Sequence, residues 1–277
     1  MNPAVILTFG IVIALETAAP ILLGYLIVKR LAVSWNLFLF GALFFIFSQV
    51  IHIPLLLLLQ PPLMDWVMAA SSSPIIILVA LAIFLGLFSG ILEEGIRYLA
   101  FTRFLPGRSL PINRKTALLF GAGWGGVECI IIAILVFFSL ISYILATSGA
   151  LDILLMNTTH LSTEQAVELD TLLNLSPLDI LPGFIERMMV LILHIAFPFL
   201  ILISVLRVRK IFLIAAIGWH AGLNAVVVVL AQTLGIWPTE AFIVVNALAG
   251  VFVIRAVWNA TADGEDRSTI HKGTGVP

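Results

Sequence analysis

Seven apolar runs, near 4–28, 36–59, 75–104, 116–147, 180–206, 211–233 and 240–258, divide this 277-residue chain. Each is long enough to cross a hydrocarbon core of ~30 Å as an α-helix rising ~1.5 Å per residue. The helical form is required because lipid offers no partner to an unpaired backbone N–H or C=O. Hydrophobic residues make up 61% of the sequence and charged ones 10%, where a soluble domain carries roughly 25% charged. The composition therefore specifies an all-α, multi-pass integral protein of the cell membrane. A net charge of −1 argues against a nucleic-acid partner. The first run follows directly on Met1-Asn2-Pro3, with no basic stretch and no small-residue cleavage pattern, so it reads as a retained span and not a signal peptide. The third and fourth runs are overlong, which permits tilt or an end that leaves the bilayer.

The connections alternate in charge. Lys29 and Arg30, then Arg103, Arg108, Arg114 and Lys115, then Arg207, Arg209 and Lys210, and finally Arg255, Arg267 and Lys272 fall at one end of the spans. The opposite connections hold no Lys or Arg, only Asp65, Asp152, Glu164, Glu168, Asp170, Asp179 and Glu240. By the positive-inside rule the N-terminus lies outside and the C-terminus in the cytoplasm. Residues 1–258 read as a single transmembrane domain, and the polar, Gly-containing stretch 259–277 as a disordered cytoplasmic tail. Ser162-Thr-Glu-Gln165 is a capping-box pattern ahead of an apolar stripe, which predicts a short helix on the outer surface. No internal repeat of the kind common in secondary transporters is present. Cys129, the single cysteine, cannot form an internal disulfide and reads as a small core residue.

Within the spans the ionisable residues are Glu16, His52, Glu93, Glu94, Arg97, Glu128, Glu186, Arg187, His194 and His220. A carboxylate at membrane depth costs roughly 2.5–3.5 kcal/mol on insertion, so such groups point into a protein-lined or wet cavity with partners. At ~1.5 Å per residue from the basic end, Glu93 and Glu94 lie about 15–17 Å deep, Glu128 and His194 about 18 Å and His220 about 14 Å. Four helices thus bring carboxylate or imidazole groups to one layer, in a cavity expected to open toward the cytoplasmic half. Arg97 follows Glu93 by four residues, as Asn224 follows His220, so each pair shares a helix face. Arg97 can neutralise one carboxylate of the adjacent pair, leaving two carboxyl groups in different charge states, the arrangement that acid–base work uses. Gly86 and Gly90 precede the acidic pair and Gly121-Ala-Gly-Trp-Gly-Gly126 precedes Glu128. They serve either close helix packing or an irregular wall beside a cavity. Glu186 and Arg187 fall near the outer boundary and read as mainly structural. Glu16 stands at a depth that allows pairing with the cluster, and His52 and Trp35 read as interface or core residues.

Glu93-Glu94-x-x-Arg97 together with His220-x-x-x-Asn224 resembles the CPBP superfamily of intramembrane proteases, which includes the CAAX-processing enzymes. The order of motifs, with Gly-Trp-Gly-Gly-Val-Glu128 and Glu186-Arg187 through His194, looks most like its YhfC-type branch, over about residues 86–224. The resemblance implies hydrolysis of a peptide bond in a membrane-protein or lipidated-peptide substrate. It implies that Glu93 or Glu94 activates water and that His220 and Asn224 stabilise the oxyanion. The superfamily's second motif is an aromatic residue followed four positions later by His. Here Trp124 is followed by Glu128, so the second imidazole must come from elsewhere, most simply His194. The resemblance leans toward a metal-free glutamate mechanism. His194, His220 and a glutamate would be the ligands if zinc were bound, although no His-Glu-x-x-His signature is present. The competing readings are an ion- or proton-coupled transporter using the same midplane charges, and a scaffold in which they form only a buried salt-bridge network.

Overall fold

A computed structural model describes the backbone of residues 1–149 and 162–272, with side chains described through Thr261 apart from residues 164 and 168. Seven of its helices are long and apolar enough to cross a membrane. They are α1 (Pro3–Leu31), α2 (Asn36–Ala70), α3 (Pro74–Leu99), α4 (Arg114–Thr147), α6 (Pro177–Leu206), α7 (Ile211–Thr233) and α8 (Ile236–Lys272), with the short α5 (Thr163–Leu173) between α4 and α6. The expected tail, 259–277, falls on the last turns of α8 and on residues outside the described ones.

Three of the helix N-termini follow from local side-chain chemistry. Asn2 caps α1 by accepting from the Ala4 N–H at 3.0 Å, with Pro3 opening the helix. Asn113 caps α4 by accepting from the Thr116 N–H at 3.0 Å. The expected capping box opens α5: the Ser162 N–H donates to Gln165 Oε1 at 2.9 Å and the Gln165 N–H to Ser162 Oγ at 3.2 Å. The second span outruns its expected end at residue 59 and continues through Pro61 and Pro62 to Ala70. A proline removes one donor and crowds one carbonyl, and it can bend a membrane helix without ending it when the freed groups find local adjustments. The overlong third span continues past Leu99 through a π-helical turn, Ala100–Phe104, and a last turn to Gly107.

Helix α6 is the axis of the bundle. Its apolar stretch is 67% buried, against at most 28% in any other span, and it packs on α1, α4, α7 and α8. The outward faces of the other helices present large apolar side chains such as Leu39, Leu57, Ile134 and Phe252, as contact with lipid tails requires.

Glycines set the closest approaches, so the packing alternative holds and the helices remain unbroken where they occur. A Cβ on Gly86 would lie 2.2 Å from the Ala221 carbonyl oxygen, and one on Gly90 2.8 Å from that of Ile217, which brings α3 against α7. A Cβ on Gly121 or Gly125 would meet His194 atoms at 2.8 or 2.9 Å, which brings α4 against α6. These two contacts determine which polar side chains can touch. Gly86→Val is expected to wedge α3 from α7 and lower stability by about 1–3 kcal/mol, as overpacking does. Unfolding in mixed micelles tests this; a variant as stable as wild type would show that the approach is not constraining.

Candidate active site

The side chains expected to share a layer form one connected network. Arg97, fully buried on α3, is its hub: it donates through Nη1 to Glu94 and through Nη2 to Glu93 Oε2 at 3.3 Å. Its guanidinium lies 3.9 Å from the Trp124 ring centroid, and its Nη2 is 2.7 Å from His194 Nδ1. On α7, His220 Nδ1 is 2.8 Å from Glu94 Oε1, and Phe197 stacks on the ring at 4.7 Å. Asn224, one turn further, donates through Nδ2 to Ser89 Oγ at 2.7 Å.

Hydrogen-bond chemistry assigns the tautomers. A guanidinium can only donate, so His194 Nδ1 accepts from Arg97 and its proton sits on Nε2, 2.5 Å from Glu128 Oε2. A carboxylate can only accept, so His220 carries its proton on Nδ1, toward Glu94. The two carboxylates of the pair are therefore inequivalent. Glu94 is fully buried and engaged by Arg97 and His220, whereas Glu93 lines the central cavity. Glu93 also accepts from Gln49 Nε2 and Trp124 Nε1, each at 3.3 Å.

That cavity, about 230 Å³, is lined by Glu93, Glu128, Glu186, Arg187, His194, His220 and Asn224 among apolar neighbours. Its remaining walls include Val190, Val227 and Ile243, which sit on the acidic-end side of the Glu93–His220 layer. The cavity thus extends toward the acidic end, opposite to the cytoplasmic opening expected. Depth sums locate a layer but do not say on which side the helices diverge. Glu186 and Arg187 also join the site: Arg187 donates to Glu128 Oε1 at 2.9 Å and to Glu186. Glu16 does not pair with the cluster. It is fully buried, both carboxylate oxygens lack a hydrogen-bond partner among the described residues, and it lines a separate cavity that shares Glu186 and Arg187. His52 packs against Phe88, and Trp35 against Phe38.

Sequence reasoning missed Gln49 and Ser89, which orient Glu93 and Asn224. A depth estimate would have found Gln49: fourteen residues into α2 by its position, it comes out about 20 Å from the basic end, in the same layer.

For a metal ion, His220 is the suitable donor, since an imidazole backed by a carboxylate on Nδ1 is the usual arrangement of a ligand. His194 is less suited, because Arg97 occupies Nδ1 and Glu128 Oε2 lies against Nε2. Among the described residues no group of three His, Cys, Asp or Glu side chains is spaced to hold a metal ion.

Comparison with known proteins matches residues 15–247 to the family model described as YhfC intramembrane metalloprotease. A Bacillus subtilis (strain 168) protein, the uncharacterized membrane protein YhfC, is 30% identical over 202 residues, covering 71% of this chain and 73% of that one. No solved structure matches the chain. These findings favour a membrane peptidase over a transporter. The matched stretch takes in α3, the glycines of α4, the axial α6 and the His220–Asn224 turn of α7, and the chain belongs to the YhfC intramembrane metalloprotease family.

Proposed function

We propose that this protein is an intramembrane endopeptidase in which Glu93 activates the water that attacks a peptide bond of a membrane-associated substrate. The observation that carries this reading is the division of labour within the acidic pair: Glu93 faces the cavity, and Glu94 is withdrawn behind it to hold His220. Glu93 takes a proton from water as the water oxygen adds to the scissile carbonyl carbon. The negative charge moves to the carbonyl oxygen. Asn224, oriented by Ser89, has a second amide N–H for that oxygen. His220 supplies another donor when Nε2 is protonated, its ring held by Glu94 and Phe197. Glu93 then returns the proton to the leaving nitrogen as the C–N bond breaks. The Glu128–His194 pair borders the same cavity and takes the place of the histidine at the superfamily's second motif.

The family description implies a metal, and the donors as arranged do not fit one, so no step is assigned to it. The family name and the carboxylate-backed His220 favour zinc as a second reading. Metal content and chelation separate the two. Under the glutamate mechanism, purified active protein holds far less than one zinc per chain and keeps its activity in 1,10-phenanthroline. One zinc per chain, lost together with activity on chelation and absent from His220→Gln, would replace that mechanism with the metal one.

The acidic pair gives a sharper test. Glu94→Gln is expected to lower activity by about 10–100-fold, the usual loss when an orienting partner is removed, and Glu93→Gln by more. The reverse order, measured on matched amounts of folded protein, would make Glu94 the base.

A further inference from the structure

A groove separate from the catalytic cavity opens at the basic end of the bundle. Helices α1 and α8 pack against α4 and α6 and leave a channel between themselves. Leu23, Ile27, Leu118 and Ile254 wall it, and Arg30 and Arg255 stand at its rim. Its volume is about 520 Å³ and no acidic side chain lines it. Both arginines are exposed, and neither has an ion-pair partner among the described residues.

We propose that this groove binds one anionic glycerophospholipid. An acyl chain lies along the apolar wall, and the phosphate is held between Arg30 and Arg255, with Trp258 beside it at the level of the headgroups. Charge selects the occupant. Two guanidinium groups with no carboxylate beside them among the described residues match a phosphodiester, and they offer nothing to a choline or ethanolamine ammonium. The chain beneath is apolar throughout, which suits a lipid tail and gives a soluble phosphate no additional contact. The groove also lies at the end where the Lys and Arg of the connecting loops collect, and basic residues between helices at that boundary are the usual recognition element for anionic headgroups.

The experiment uses the full-length protein in nanodiscs of equimolar phosphatidylglycerol and phosphatidylcholine, with native mass spectrometry counting the lipid retained. With the contribution usual for two basic residues, wild type is expected to retain phosphatidylglycerol with roughly 30-fold preference. Arg30→Gln/Arg255→Gln should bring this to near parity. Arg207→Gln/Arg209→Gln, an equal change of charge at the same end but outside the groove, should leave the preference intact. Leu26 also lines the groove; Leu26→Trp fills it while both guanidinium groups remain, and should lower retention of either lipid. Equal retention of the two lipids by wild type, or a preference lost equally in both arginine pairs, would overturn the site and leave only a general attraction of the basic surface. Retention undiminished in Leu26→Trp would remove the groove from the proposal.

Discussion

Arg97→Met is expected to destabilise the protein by about 3–5 kcal/mol, the largest effect of any single substitution considered, because it strands two buried carboxylates. Glu93 and Glu94 both accept from the one Arg97 guanidinium. With that cation gone, the fully buried Glu94 keeps only the His220 imidazole beside it, and Glu93 keeps only the donors Gln49 and Trp124. The substitution also removes the donor that fixes His194 and the stack on Trp124. Methionine keeps much of the apolar stem, so the loss reports on charge more than on volume. Unfolding in mixed micelles measures it. The triple variant Glu93→Gln/Glu94→Gln/Arg97→Met separates charge from shape: removing all three charges should recover most of the loss, since complete replacement of a buried ionic group is often close to neutral. A single variant within ~1 kcal/mol of wild type would show that the network contributes little to the fold, a value typical of surface pairs.

Glu93→Gln is the second. It should lower turnover by about 10²–10⁴-fold, the usual contribution of a positioned general base, while stability stays near that of wild type. Glutamine keeps the side-chain length and an acceptor oxygen for one of the donors Gln49, Trp124 and Arg97. What it loses is the ability to take a proton. Substrate affinity should change much less than turnover, because the lost interaction is made mainly as the water is attacked. Turnover at the wild-type rate would remove Glu93 from the chemistry whatever its position.

Much of this architecture is legible in the residues. Lipid forbids unpaired backbone, so an apolar run of sufficient length must be a helix, and the seven spans follow from length alone. The boundary that fails, at Pro61 and Pro62, is a soluble-protein rule applied inside a helix that continues past it. The acidic pair, Arg97 and His220 are legible because ionisable groups are rare in lipid and helix rise converts sequence position into depth, and Asn224 because it stands one turn from His220 on the same face. Gln49 and Ser89 escape because neutral polar side chains are inexpensive enough to occur in any span. Only their partners, Glu93 and Asn224, give them meaning. The contrast between Glu93 and Glu94 is likewise invisible to depth, since neighbours on a helix differ by 100° in direction and little in height. Arg187 shows what a depth count leaves out. Counted from the basic end it belongs to the boundary, yet its long side chain reaches back to Glu128.

The most direct measurement of the central claim compares protein N-termini in membranes of cells expressing wild type or Glu93→Gln at matched levels. The expected result is a set of new N-termini in or beside membrane segments, formed with wild type and lost with Glu93→Gln. The same set formed equally by both proteins would contradict a peptidase in which Glu93 activates water.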